Sequence, residues 1–285
     1  MANITTPNVA SGWRPDKIHY FSADKELSES LYVAATTFGG EIQGDAPALR
    51  VPYIDDADSA GFVAEGAEIP EDDPDLDEVL VYTRKIARLV KMSREQASQP
   101  GVGDKISASV KNDLIRKMDH ALLTQAAPVS PAVAPAAGIV NVAGIVEGDP
   151  ITANLDPLVD LIAELSSNDA TPRFLIVDPL AYAFLYKLKT DDTASNQGLL
   201  SPATESPTSP ILGLTTQVSN ALPANSGVVI DPAAIVSAYS QLEIAISDQA
   251  YFTSDNVAMR ATVRVGHTVV RPQRIGKLTI GDVTP

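Results

Sequence analysis

Phe62–Val79 reads FVAEGAEIPEDDPDLDEV, and just beyond it Tyr82–Lys91 reads YTRKIARLVK. The first stretch carries Glu65, Glu68, Glu71, Asp72, Asp73, Asp75, Asp77 and Glu78 with no Lys or Arg among them. The second carries Arg84, Lys85, Arg88 and Lys91 and no acid. Around them the pattern is that of strands. Ala48–Asp55 and Ala60–Glu65 are short strands, and Val79–Met92 is a long one with Arg84, Ile86, Arg88 and Val90 on one face. Together they predict a two-stranded ribbon, acidic near its tip and basic along its stem. A strand of about 12 residues reaches roughly 40 Å. A compact chain of this length has a radius of gyration of only about 19 Å. An isolated hairpin is marginal in water, so a ribbon this long needs cover from another molecule.

Composition narrows the classes. The chain has 285 residues, 45% of them hydrophobic, enough for one large or two small globular units. The net charge of −15 argues against a protein held to nucleic acid by phosphate contacts. With no Cys, disulfides and thiolate metal sites are excluded. No run of about 18 apolar residues occurs, so no membrane span is expected. The N-terminus, MANITTPNVASGWRPDK, lacks the apolar segment of a signal peptide.

Along the chain, the first 30 or so residues are polar and lack an amphipathic period, apart from a short helix at Lys25–Ala35. They form no core of their own and are expected to be held by a neighbouring chain. A helix capped by Asp104 follows the ribbon. Ile106, Val110, Leu114, Met118 and Leu122 recur every fourth residue on it, with Lys105, Lys111, Arg116 and Lys117 off that stripe. Ala127–Ala137, APVSPAVAPAA, reads as a Pro/Ala-rich linker and the best boundary. Beyond it the pattern becomes α/β. Gly138–Val146 is a strand pair or bent strand, Asn154–Ser166 a helix, Arg173–Pro179 a buried strand and Leu180–Leu188 a helix. Thr190–Pro210 is a long polar loop. Gly227–Val236 is another strand, and Glu243–Ile280 is rich in strands.

No catalytic constellation emerges. His19, His120 and His267 are scattered, with His120 on the polar side of the long helix. No G-x-S-x-G or P-loop occurs. Asp73, Asp75 and Asp77 open like a calcium loop, but Glu78 stands where its Gly belongs and Arg84 where its bidentate Glu belongs. No cofactor, metal site or catalytic residue is therefore expected.

The order of these parts resembles the major capsid proteins of tailed bacteriophages, with the Hong Kong 97 shell fold. VPYIDDADSAGFVAEGAEIPEDD followed by VYTRKIARLVKMSRE is similar to the family's extended loop and its return. LIRKMDHALLTQ is similar to the end of its spine helix, PILGLTTQVSNALP to its axial turn, and AYFTSDNVAMRATVRVGHTVVRP to its closing strands. The resemblance implies an α+β chain in five parts. Residues 1–47 are an arm, 48–92 the extended loop with strands of a peripheral domain, and 93–127 the spine helix. Residues 128–242 form an axial domain, and 243–285 are closing strands.

It further implies a structural protein and not an enzyme, assembling into pentamers and hexamers of an icosahedral or prolate head around double-stranded DNA. Assembly takes place in the host bacterial cytoplasm, without a membrane, and with scaffolding, portal and decoration proteins as partners. The acids Glu68, Glu71, Asp72, Asp73, Asp75, Asp77 and Glu78 of one subunit would meet the cations Arg84, Arg88, Lys105, Lys111 and Arg116 of the next. The arm begins at Met1, so a separate scaffolding protein, or none, is expected. The position of the family's cross-linking Glu holds Thr262 and the ribbon tip has no Lys, so covalently joined subunits are not expected. An encapsulin-type nanocompartment shell is the alternative within the fold. A soluble acidic hydrolase or calcium-binding enzyme is the alternative outside it.

Overall fold

A computed structural model describes residues 18–21, 27–42, 44, 46–55, 62–63, 66, 75–97, 99, 102–191, 195–200 and 210–281. Its elements are numbered here in chain order. The chain is α+β, built on two large sheets. The longest strand of the first is β14 (Asn256–Val269). Strand β5 (Arg84–Ser93) pairs antiparallel with one edge of it, from Asn256↔Ser93 to Val265↔Arg84. Strands β12 (Ile235–Tyr239) and β13 (Leu242–Tyr251) pair with it end to end along the other edge. Beyond them lie β2 (Thr37–Glu41), parallel to β12, and β1 (Ile18–Phe21), antiparallel to β13.

Helix α3 (Val102–Leu123) packs on one face of this sheet. Val110, Leu114, Met118 and Leu122 are its buried stripe, and they meet Val263 and Val265 of β14 with Leu27, Leu31 and Tyr32. The fourfold spacing puts those side chains on one side of the cylinder, so burying them fixes the helix on the sheet. The helix begins at Val102, two residues before the Asp104 start read from the sequence, a normal uncertainty for a helix end. The short helix α2 (Arg94–Ala97) links β5 to it.

The second sheet runs β10 (Thr215–Val218), β7 (Phe174–Val177), β11 (Ser226–Ile230), β15 (Ile275–Thr279) and β6 (Val146–Glu147). On one face Leu175, Val177 and Val229 pack under α4 (Asp156–Ser167) and α5 (Pro179–Lys187), through Leu158, Leu161, Leu165, Ala181 and Leu185. On the other face Ile176, Val228 and Ile230 join the core of the first sheet. A sheet buried on both faces needs apolar residues at every position, which is why FLIV reads as an unbroken run.

Several readings are corrected. Val79–Met92 is not one strand: β4 (Asp75–Tyr82) pairs with β3 (Ala48–Asp55), and the chain bends at Thr83 before β5 joins the other sheet. Within the expected helix Lys25–Ala35, the described residues are helical at Leu31–Ala34 (α1), and Leu27–Ser30 is a turn; Lys25 and Glu26 lie outside the described residues. Phe62 and Val63 lie outside any strand, and the rest of Ala60–Glu65 falls outside the described residues. Gly138–Val146 forms a single 3-10 turn at Ile139–Asn141, with β6 starting at Val146. Gly227–Val236 is interrupted by a 3-10 turn at Pro232–Ala234, where Asp231 caps the backbone of Ala233. Thr190–Pro210 contains part of a hairpin, β8 (Lys189–Asp191) and β9 (Ser195–Gly198); residues 201–209 fall outside the described set.

The Pro/Ala-rich stretch is not a loose linker. Arg84 donates to the Ala134 carbonyl, His267 to that of Ala137, and the Gly138 amide to that of Gln125. At Gly138 a Cβ would collide with the backbone of Thr124 and Gln125, so only Gly lets the strap close. Among the described residues, no helix is long and apolar enough to cross a membrane.

Candidate subunit interface

The ribbon is eight residue pairs long, from Ala48↔Tyr82 to Asp55↔Asp75. Its root is covered. Val81 is fully buried, and Ile42, Leu49, Val51, Val79, Ala238 and Val236 pack around it. That is one face of the ribbon; on the other, Arg50, Pro52, Glu78 and Leu80 are exposed, as are Phe62 and Val63 further along the chain. Glu78 pairs with Arg50 across the ribbon at 2.7 Å, both well exposed. Asp75 and Asp77 take their backbone places opposite Asp55 and Tyr53. Glu68, Glu71, Asp72 and Asp73 lie outside the described residues.

Thr83 anchors the ribbon to the sheet. Its amide donates to Pro47 O at 2.9 Å, its hydroxyl donates to Ala46 O at 2.7 Å, and Arg264 donates to that hydroxyl at 3.2 Å. Thr268 adds a hydrogen bond to Leu80 O at 3.1 Å. At Gly266 a Cβ would collide with the Tyr82 carbonyl, so this glycine lets the ribbon strand lie directly on β14. Thr83 is only 4% exposed, and its amide and hydroxyl both have partners, as burial demands.

The cations named from the sequence separate into two kinds. Arg84 and Arg88 are engaged within the subunit: Arg84 with Ala134 O, and Arg88 with Asp113 at 2.8 Å and with Ser109 O at 3.0 Å. Lys105, Lys111 and Arg116 lie along α3, and among the described residues no acid pairs with them or with Lys117. Sequence reading missed the opposite face of the sheet, where registers bring together Lys85, Lys91, Arg260 and Arg264. There Arg260 pairs with Glu243 at 2.9 Å, Lys91 stands 4.6 Å over the Tyr251 ring, and Arg264 holds Thr83. The period of two in Lys85–Lys91 and Arg260–Arg264 was a usable signal for this face. Thr262 sits opposite Glu243 and donates to its carboxylate at 3.4 Å.

His267 is buried in the core. A carbonyl only accepts, so Nε2 carries the proton toward Ala137 O at 3.0 Å, and Nδ1 accepts from the Tyr32 hydroxyl at 3.4 Å. Burial pushes its pKa down to about 4, with the Ala137 bond partly opposing. Asp119 is pushed up by burial and restrained by the Ser30 hydroxyl, which donates to it at 2.7 Å. His120 is exposed on α3. Among the described residues no cluster of three or more His, Cys, Asp or Glu could hold a metal.

The model of the phage capsid family matches residues 38–280. No curated protein matches the chain. Among solved structures, one from Gordonia phage Cozz superimposes with a TM-score of 0.66 at 17% identity, over 98% of this chain and 92% of the other. One from Microbacterium phage Oxtober96 gives 0.66 at 15% identity, over 97% and 96%. The capsid of a native GTA particle gives 0.64 at 14% identity, over 98% and 96%. At such identities the likeness establishes the shared fold.

Proposed function

The chain belongs to the phage capsid family, and from that premise we propose that it is the subunit of a closed head, arranged in pentamers and hexamers around double-stranded DNA. It is a structural shell protein with the Hong Kong 97-type fold, a component of a virion. The carrying observation for assembly is the ribbon, one face of which is packed by its own chain while the other, with Arg50, Pro52, Glu78 and Leu80, stands exposed. A two-stranded element is marginal alone, and a neighbour in a shell supplies the missing face. The five-part division read from the sequence gives the arrangement: arm, extended loop, spine helix, axial domain and closing strands. The acidic loop Thr190–Pro210 lies near the centre of each ring, and Glu68–Glu78 lies against the next subunit.

The net charge of −15 suits a container that must release its genome, because few phosphate contacts hold the DNA. Scaffolding, portal and decoration proteins complete assembly, which takes place in the host cytoplasm. Purified protein, examined by negative-stain microscopy and size exclusion, is expected as closed particles or as rings of five and six. A stable monomer whose ribbon amides are already protected from hydrogen exchange would defeat this reading.

A further inference from the structure

Helix α3 carries Lys105, Lys111, Arg116 and Lys117 off its buried stripe. Lys105 and Arg116 are eleven residues apart, close to three whole turns, and Asn112 lies on the same line between them. Lys105, Asn112, Arg116 and Lys117 are exposed. The acids of this helix beyond its first turn are engaged: Asp113 is held by Arg88 at 2.8 Å, and Asp119 accepts from the Ser30 hydroxyl at 2.7 Å. The four cations have no acidic partner among the described residues. Beside the line a cavity of about 390 Å³, walled by Arg88, Arg116, Lys117 and His120, gives an anion a concave seat.

Other surfaces of the subunit differ. Helix α4, on the far face of the second sheet, has the reverse sign: Asp156, Asp160 and Glu164 recur every fourth residue, all exposed, and the helix has no Lys or Arg. On the face of the first sheet away from α3, Arg260, Lys91 and Arg264 already have partners. A chain of net charge −15 therefore gathers unpaired positive charge on one helix.

We infer that this face of α3 is turned to the interior of the shell and meets the sugar–phosphate backbone of the enclosed duplex. The inference rests on the shell reading above and adds which side of the subunit faces the genome. Charge complementarity selects the occupant. From Lys105 to Lys117 the helix rises about 18 Å, over which a duplex carries roughly ten phosphates. The helix has no Phe, Tyr or Trp to stack on an unpaired base, so the surface reads charge and not sequence. Four cations per subunit make a weak, salt-sensitive contact, which lines the shell without retaining the genome.

Titration of the unassembled subunit with a short fluorescent DNA duplex, between about 0.05 and 0.2 M salt, reads this surface directly. The logarithm of affinity should fall against the logarithm of salt with a slope of about −3 to −4, as four phosphate contacts require. Arg116→Gln with Lys117→Gln should reduce that slope by about 2 and weaken binding roughly tenfold or more. Lys85→Gln with Lys91→Gln, across the sheet, should leave both unchanged, and a duplex of another sequence should bind alike. Absence of wild-type binding, or equal losses from the two double substitutions, would overturn the inference.

Genome-filled particles test the orientation. Formaldehyde joins lysine amines to DNA, and the joined peptides should contain Lys105, Lys111 and Lys117; joined Lys85 and Lys91 in their place would overturn it. Subunits with Arg116→Gln and Lys117→Gln should still build shells. Loss of shells with unchanged duplex binding would make this face a contact between subunits and overturn the inference. Wild-type protein that binds the duplex but forms no shell under any condition would defeat the shell reading, with the phosphate-binding surface standing.

Discussion

The five-stranded sheet and the ribbon solve the same problem in opposite ways. The sheet is apolar on both faces, and its own chain covers both, with α4 and α5 on one side and the core of the first sheet on the other. The ribbon buries Val81 on one face and leaves Pro52, Glu78 and Leu80 open on the other. Apolar surface removed from water is worth about 25 cal/mol per Å² wherever the covering atoms come from. One element therefore draws its stability from folding, and the other draws part of its stability from association. Mutations should sort accordingly, into those that a lone subunit feels and those that only a shell feels.

The largest effect on the lone subunit belongs to the sheet. Leu165 is completely buried under it, and Leu165→Ala should cost about 2–5 kcal/mol in denaturant unfolding of the unassembled protein. Leu80→Ala on the ribbon, at 37% exposure, should cost less than about 1 kcal/mol in the same measurement. Similar losses at the two sites would erase the distinction.

Acid should test the core beside the first sheet next. The folded pKa of His267, about 4, lies below the ordinary value of 6.5, so the unfolded chain binds the extra proton. Stability on this account is complete above about pH 6.5 and falls by about 3 kcal/mol as pH drops toward 4. Unfolding of the unassembled subunit as a function of pH should show that slope, and His267→Gln should flatten it. A slope that survives the substitution would assign it elsewhere.

Gly266→Val should come third, at about 1–3 kcal/mol, because the added side chain must push the Tyr82 backbone off β14. Faster hydrogen exchange in β4 with little change in β7 would place the damage at the ribbon.

The smallest subunit effect is the most telling. Asp72, Asp73 and Asp75 changed together to Asn should leave subunit melting nearly unchanged, since exposed pairs contribute only about 0.2–1 kcal/mol each. Assembled shells should nonetheless weaken. Wild-type shells should show the same weakness at raised salt, where the screening length falls from about 10 Å at 0.1 M to about 3 Å at 1 M. Mutant shells as stable and as salt-sensitive as wild type would make the acidic segment a solvated loop.

The sequence by itself determined the elements whose cause is local. The fourfold spacing of Val110, Leu114, Met118 and Leu122 made α3 legible, and the unbroken FLIV made β7 legible. The separation of acids from cations was visible too, because charge is a property of residues and not of their contacts. The tertiary structure alone decided the rest. Nothing near Thr83 announces a break, since the bend exists only because Gly266, 183 positions later by subtraction, leaves room for Tyr82. The Pro/Ala-rich stretch has the composition of a linker, and it becomes a strap through carbonyls that every residue type possesses. The cations of Lys85–Lys91 and Arg260–Arg264 form one face only after β5 and β14 take their register. Arg88 and Arg116 look alike in the sequence, and only folding places Asp113 beside Arg88, so that its charge is satisfied at home while that of Arg116 faces outward.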